Sequence, residues 1–93
     1  MSNPRRFEWD SAKAQANLAK HGVRFEVATA VFGDPRHADF DASHVGDGEA
    51  RRKLVGEIQG RLFTVVYTPR DDKIRIISAR QSNAMEKRRY ADR

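Results

Sequence analysis

Three side chains between positions 44 and 51, His44, Glu49 and Arg51, have the types needed to break a phosphodiester without a metal. An imidazole and a carboxylate can each move a proton, one from a 2′-hydroxyl and one to the leaving oxygen. A guanidinium can stabilise the charge that builds on the phosphorus-bound oxygens in between. Loop histidines and carboxylates are common, so the same trio also fits an ordinary polar loop. Further along, Arg80 closes the run Lys73-Ile74-Arg75-Ile76-Ile77-Ser78-Ala79. It has two readings there: a bidentate hold on a phosphate, or a pair with a carboxylate at the sheet edge. The segment Lys87-Arg88-Arg89-Tyr90 sets cations beside an aromatic ring. That combination suits an unstacked RNA base. The same cations would compensate a helix dipole, and Tyr90 could equally anchor that helix to a sheet. Arg75, Lys87 and Arg88 are the further candidates for RNA binding.

Other chemistries fail on the residues. Asp39, Asp41 and Ser43 fall at the first, third and fifth positions of a calcium loop. His44 then stands where the turn glycine belongs and Ala50 where the bidentate Glu belongs, so the cage cannot close. His21, His37 and His44 lack metal-binding spacing, and Lys20-His21-Gly22 fits a dipole-compensated helix end. Gly46-Asp47-Gly48 lacks the lysine and following helix of a phosphate loop, and no serine-nucleophile motif is present. With zero cysteines, disulfides, thiolate metal sites and thiol nucleophiles are all excluded. Neither a metal nor a cofactor is expected.

These side chains need a scaffold. Arg5–Trp9 alternates charged and aromatic residues and predicts a strand. Asp10 reads as the N-cap of a helix over Ser11–Lys20, with Ala14, Leu18 and His21 in one stripe and Gly22 as its left-handed end. A second helix is expected over Phe25–Phe32, with Phe25, Ala28, Val31 and Phe32 on one face, ended by Gly33-Asp34-Pro35. A short strand near Arg36–Phe40 and a loop at Gly46-Asp47-Gly48 follow. Three strands then come in close succession: Arg52–Ile58, Arg61–Thr68 and Lys73–Ala79, with turns at Gln59-Gly60 and Pro69–Asp72. Strict alternation in the last would put Arg75 with Ala79 on one face, and Arg80 with Ile74 and Ile76 on the other. Ser82 or Asn83 should cap a final helix to Ala91, Asn83 forming a capping box with Glu86. The order β-α-α-β-β-β-β-α describes an α+β domain, a mostly antiparallel sheet with helices on one face.

Ninety-three residues suffice for one such domain over positions 1–93. The net charge of +5 is unevenly placed: residues 1–49 carry 6 basic and 8 acidic side chains, residues 50–93 carry 12 and 5. A basic half of this kind suits a polyanion. No run is long and apolar enough for a membrane span and Met1–Arg6 has no apolar core, so a cytoplasmic protein without membrane contact is expected.

The residues also carry a family resemblance. Phe7-Glu8-Trp9-Asp10, Asn17-Leu18, Lys20-His21-Gly22, Phe25-Glu26 with Ala28, and Val31-Phe32-Gly33-Asp34-Pro35 occur in order. Glu49 with Arg51, Val65-Val66-Tyr67-Thr68, Ile74-Arg75-Ile76-Ile77-Ser78-Ala79-Arg80, then Glu86-Lys87-Arg88 with Tyr90 complete the set. Together they resemble the BrnT family of bacterial type II toxins. Arg24-Phe25-Glu26-Val27 departs from the Ser-Phe-Glu-Glu-like start of the second helix, and the loop Val45–Gly48 differs as well. The resemblance implies a compact RelE-like fold and a ribonuclease that arrests translation. It implies a BrnA-like antitoxin with a ribbon-helix-helix DNA-binding part, in a two-plus-two complex that reaches operator DNA through the antitoxin.

On this reading Arg51 and Arg80 approach across the sheet and clamp the scissile phosphate. Glu49 or His44 handles protons, and Tyr90 meets the adjacent nucleotide. A competing reading is a non-catalytic RNA-binding or protein-interaction module, which would bind RNA and leave it intact. A third is a structural subunit with no RNA affinity.

Overall fold

A computed structural model describes residues 6–44, 46 and 48–92. Arg5 at the start of the expected first strand, and Val45 and Asp47 in the expected loop, lie outside the described residues, as do residues 1–4 and Arg93. Strand β1 (Arg6–Glu8) leads into helix α1 (Ser11–His21), whose first turn is closed by the Asp10 carboxylate accepting from the Lys13 N–H at 3.0 Å. Gly22 ends it at φ 71°, donating its N–H to the Leu18 carbonyl.

The expected second helix is shorter than the sequence suggests. Helix α2 covers Phe25–Ala28 and tightens into a 3-10 turn over Thr29–Gly33. Thr29 and Val31 are β-branched, and the Thr29 hydroxyl donates back to the Glu26 carbonyl at 2.7 Å. The packing stripe survives the change: Phe25, Ala28 and Val31 are buried.

Strands β2 (Ala38–Asp41), β3 (Arg52–Ile58), β4 (Arg61–Arg70) and β5 (Lys73–Gln81) form the antiparallel meander. The sheet order is β1-β5-β4-β3-β2, and β1 joins β5 in parallel. Gln59 and Gly60 both take positive φ, the two-residue turn whose twist matches a hairpin. The turn expected over Pro69–Asp72 narrows to Asp71-Asp72, because Pro69 and Arg70 continue β4 opposite Ile74 and Lys73. Helix α3 (Ala84–Ala91) begins at Asn83 with the expected capping box.

Two corrections concern the faces of the sheet. Val66 pairs with Ser78 while Tyr67 pairs with Ile76, so Ile77 is an extra residue with no opposite number. A bulge of this kind breaks the period of two. Ile74, Ile76 and Ala79 therefore all enter the hydrophobic core, and Arg80 turns away from it. The second correction is that the helices do not share one face. Phe25 and Val31 pack with Leu54, Val65 and Ala79, an inner face. Thr64, the neighbour of Val65 on the pleat, bonds to Glu86 of α3 on the outer face.

Beyond Arg75, β5 has no strand on its β1 side. The buried amide of Asn17 stands in: its Nδ2 donates to the Ala79 carbonyl at 2.8 Å and to the Val23 carbonyl at 3.0 Å, and its Oδ1 accepts from the Ala79 N–H at 3.1 Å. On the other side, the 3-10 turn presses against β3 at Gly56. A Cβ there would lie 2.7 Å from Val31 Cγ1 and 2.9 Å from the Val31 carbonyl oxygen. We expect Gly56→Ala to cost about 2 kcal/mol or more, since backbone would have to move. A urea unfolding midpoint equal to that of the parent would contradict this packing.

Candidate functional site

The outer face gathers the cations. Alternation on β3 turns Lys53 and Val55 outward and Arg52 and Leu54 inward, so Arg51 follows Lys53 outward. On β4 the outward residues are Thr64, Val66 and Thr68. On β5 they are Lys73, Arg75 and, past the bulge, Ser78 and Arg80. Helix α3 covers one end of this face and leaves Arg51, Thr68 and Arg75 at the other.

The covered end is organised by a single carboxylate. Glu86 is 0% exposed. Its oxygens accept from Arg80 Nη1 at 2.6 Å and Nη2 at 2.7 Å, from Thr64 Oγ1 at 2.9 Å and from the Asn83 N–H at 2.9 Å. Lys53 Nζ lies 3.1 Å away. Burial works against ionisation, yet the bonds from Arg80, Asn83, Lys53 and Thr64 prevail and hold the carboxyl at about 2.

At the open end, Thr68 is 2% exposed and its Oγ1 has no hydrogen-bond partner among the described residues. The one other buried side-chain polar atom in that condition is Arg51 Nε. Arg52 faces Tyr67 in the ladder, so Arg51 adjoins Thr68, and Thr68 in turn pairs with Arg75. Glu8 sits 3.6 Å from Arg75, and Arg70 binds Glu49 at 3.2 Å. The loop carrying His44 and Glu49 is shut at its base: the Arg51 N–H donates to Ser43 Oγ at 2.8 Å, and the Ala42 N–H donates to the Arg51 carbonyl at 2.8 Å. His44 and Glu49 are exposed and sit within two residues of that closed base.

The expected site is thus brought together in part. Arg51 and Arg75 flank Thr68 at the open end, and the loop of His44 and Glu49 starts from the base at Arg51, with the Glu49 carboxylate on Arg70. Arg51 and Arg80 do not meet: Arg80 pairs with Thr64 and Thr64 with Val55, which lies about 13 Å along β3 from Arg51. Glu86 occupies the guanidinium of Arg80, the second of the two readings. Tyr90 also stands apart, its hydroxyl donating to Asp34 Oδ2 at 2.7 Å, so it ties α3 to the 3-10 turn. Lys87 and Arg88 are exposed on α3, while Arg89 lies over the Phe40 ring at 4.2 Å.

Thr68 and Lys53 went unnoticed in the sequence, as did the inward network beside β2. There Asp39 accepts from Arg52 Nε at 2.8 Å and from the Tyr67 hydroxyl at 2.6 Å. Burial first, and then the bond to Asp39, push the Tyr67 phenol up to about 12. Only the meander register reveals these neighbours. Among the described residues no group of three or more His, Asp or Glu side chains is placed to hold a metal ion.

Residues 9–86 match the family described as ribonuclease toxin, BrnT, of type II toxin-antitoxin systems. A comparison with curated protein sequences finds no match.

Glu86 makes stability depend on acid. Its folded value lies below the ordinary 4.5, so its contribution is complete above about pH 4.5 and fades as pH falls toward 2. That contribution is on the order of 3 kcal/mol. Urea unfolding between pH 5 and 2.5 should show the decline, and Glu86→Gln should flatten it while lowering stability at pH 7. An equally steep acid decline in Glu86→Gln would assign it to other carboxylates.

Proposed function

Since the chain belongs to the BrnT family of ribonuclease toxins of type II toxin–antitoxin systems, we propose that it cleaves RNA at the open end of the outer face, without a metal. The observation that carries this placement is that Arg51 Nε and Thr68 Oγ1, on residues neighbouring in register, are both buried and both lack partners among the described residues. A phosphodiester offers the acceptors that a guanidinium and a hydroxyl require.

Arg51 holds the scissile phosphate and stabilises the charge of the pentacoordinate state. Arg75 and Lys53 face the neighbouring backbone. His44 and Glu49 are the proton carriers: one takes the 2′-hydroxyl proton as that oxygen attacks phosphorus. The other protonates the 5′ oxygen as its bond to phosphorus breaks, leaving a cyclic phosphate. Arg80 and Tyr90 secure α3 in this scheme, and Lys87 and Arg88 meet flanking phosphates.

Family membership also brings a protein antitoxin. We take it to be BrnA-like, with a ribbon-helix-helix part that reaches operator DNA, in a two-plus-two complex. Free toxin would then arrest translation in the cytoplasm through RNA loss. No helix among the described residues is long and apolar enough to cross a membrane.

Antitoxin-free protein should degrade RNA in excess EDTA; loss of cleavage with chelator would overturn the metal-free route. Arg51→Ala should fold normally and slow cleavage by about 10²–10³. Arg80→Ala should instead lower the melting temperature, because it leaves Glu86 buried with a weaker set of donors. Normal cleavage by a well-folded Arg51→Ala would remove Arg51 from the site. Salt-sensitive binding of RNA that stays intact would favour a passive binder.

A further inference from the structure

We propose that α1 carries a second RNA-contact strip, Lys13 with Lys20 and His21, which continues the strand's path from Arg75 over the β5 edge. This rests on the reading that the outer face binds RNA. Lys13, Ala16, Lys20, His21, Ile77 and Ser78 line one groove of about 240 Å³, with Asn17 between helix and strand. No carboxylate lines it, and among the described residues neither lysine forms an ion pair.

Helix electrostatics explain only half of this arrangement. Lys20 and His21 lie in the last turn of α1, where cations are favoured. Lys13 lies in the first turn, where the dipole disfavours a cation and the capping carboxylate of Asp10 offsets it.

The side of α1 that holds these groups follows from its packing. Ala14 packs against the core, and the Asn17 amide is spent in the plane of the sheet on Ala79. Lys13 and Lys20, seven residues apart, fall on nearly the same side as Asn17 and rise about 10 Å along the axis. That spacing lets them meet separate phosphates of one strand. The groove also opens onto Ser78, an outer-face residue. At the start of α1 the Asp10 carboxylate accepts from the Lys13 N–H at 3.0 Å, outside the lining of the groove. Ile77, the bulge residue, lines the groove beside Ser78.

The strip is tested by binding of 2′-O-methyl oligouridylates, which cannot be cleaved by 2′-hydroxyl attack. A probe of roughly twelve nucleotides lies within the range of single-strand sites, and a trinucleotide covers the central site alone. The double variant Lys13→Ser, Lys20→Ser should keep the parent melting temperature and bind the trinucleotide unchanged. It should bind the long probe about 10-fold more weakly, with a salt slope smaller by about 1.4, at about 0.7 per cation. Unchanged affinity and slope for the long probe would overturn the strip, as would loss of antitoxin capture with long-probe binding intact. Failure of the parent protein to bind either probe would instead overturn the outer-face reading on which the strip depends.

Discussion

One extra residue in β5 decides where the cations go. Were Ile77 to take a regular place in the ladder, Arg80 would fall on the same face as Ile74 and Ile76, in the core, and Ala79 would face outward. With Ile77 as the extra residue, Ala79 packs at 0% exposure beneath α1 and α2, and Arg80 emerges beside Thr64 on the outer face. Everything that anchors α3 depends on this change of phase, because Arg80 supplies two of the bonds to Glu86. A bulge is therefore the point at which β5 changes phase between the apolar face that holds the fold and the polar face that carries the cations.

Glu86 solves a problem that the outer face creates. Lys53, Arg80 and the cations of α3 crowd one end of the sheet, and a buried ion is costly unless donors surround it. Here the carboxylate is met by Arg80 twice, by Lys53, by Thr64 and by the Asn83 N–H. The same arrangement fixes Lys53 at the border of the open end. Glu8 and Glu49 play a looser part farther out, against Arg75 and Arg70, and there the side chains remain partly exposed. Negative charge is thus deep where α3 must stay down and shallow where a phosphate would have to compete with it.

The elements were largely legible in the sequence because their signals are local. The Asp10 cap, the Gly22 stop, the Gln59-Gly60 turn and the Asn83–Glu86 box each involve residues within a few positions of one another. The length of α2 was not legible, since the tightening at Thr29 arises from a side chain bonding to its own helix. The side taken by Arg80 was not legible either. A bulge leaves no mark in the pattern Ile-Ile-Ser-Ala-Arg, and only pairing with β4 shows which residue is extra. Of the candidate site, the loop residues His44, Glu49 and Arg51 could be named from their chemistry. Thr68 could not: it reads as one more β-branched strand residue until β3 and β5 bring arginines to either side of it. Tyr90 and Arg80 drew attention for their types, and each meets a carboxylate, Asp34 and Glu86.

Arg51 and Arg52 show how the sheet assigns different work to like residues. The pleat turns Arg52 inward, where Asp39 takes its Nε at 2.8 Å and the Tyr67 hydroxyl completes the pair of bonds to that carboxylate. The network ties edge strand β2 to β4 across β3. Arg51 turns outward, where its backbone closes the loop to Ser43 and Ala42. Its main chain is therefore as fixed as that of Arg52, while its Nε has no partner among the described residues. On the proposed function, this fixed main chain lowers the ordering cost of holding a phosphate. Exchanging the faces of the two would seal the open end and leave Asp39 without its cation. The alternation of a single strand thus separates the arginine that maintains the sheet from the one proposed to hold a phosphate.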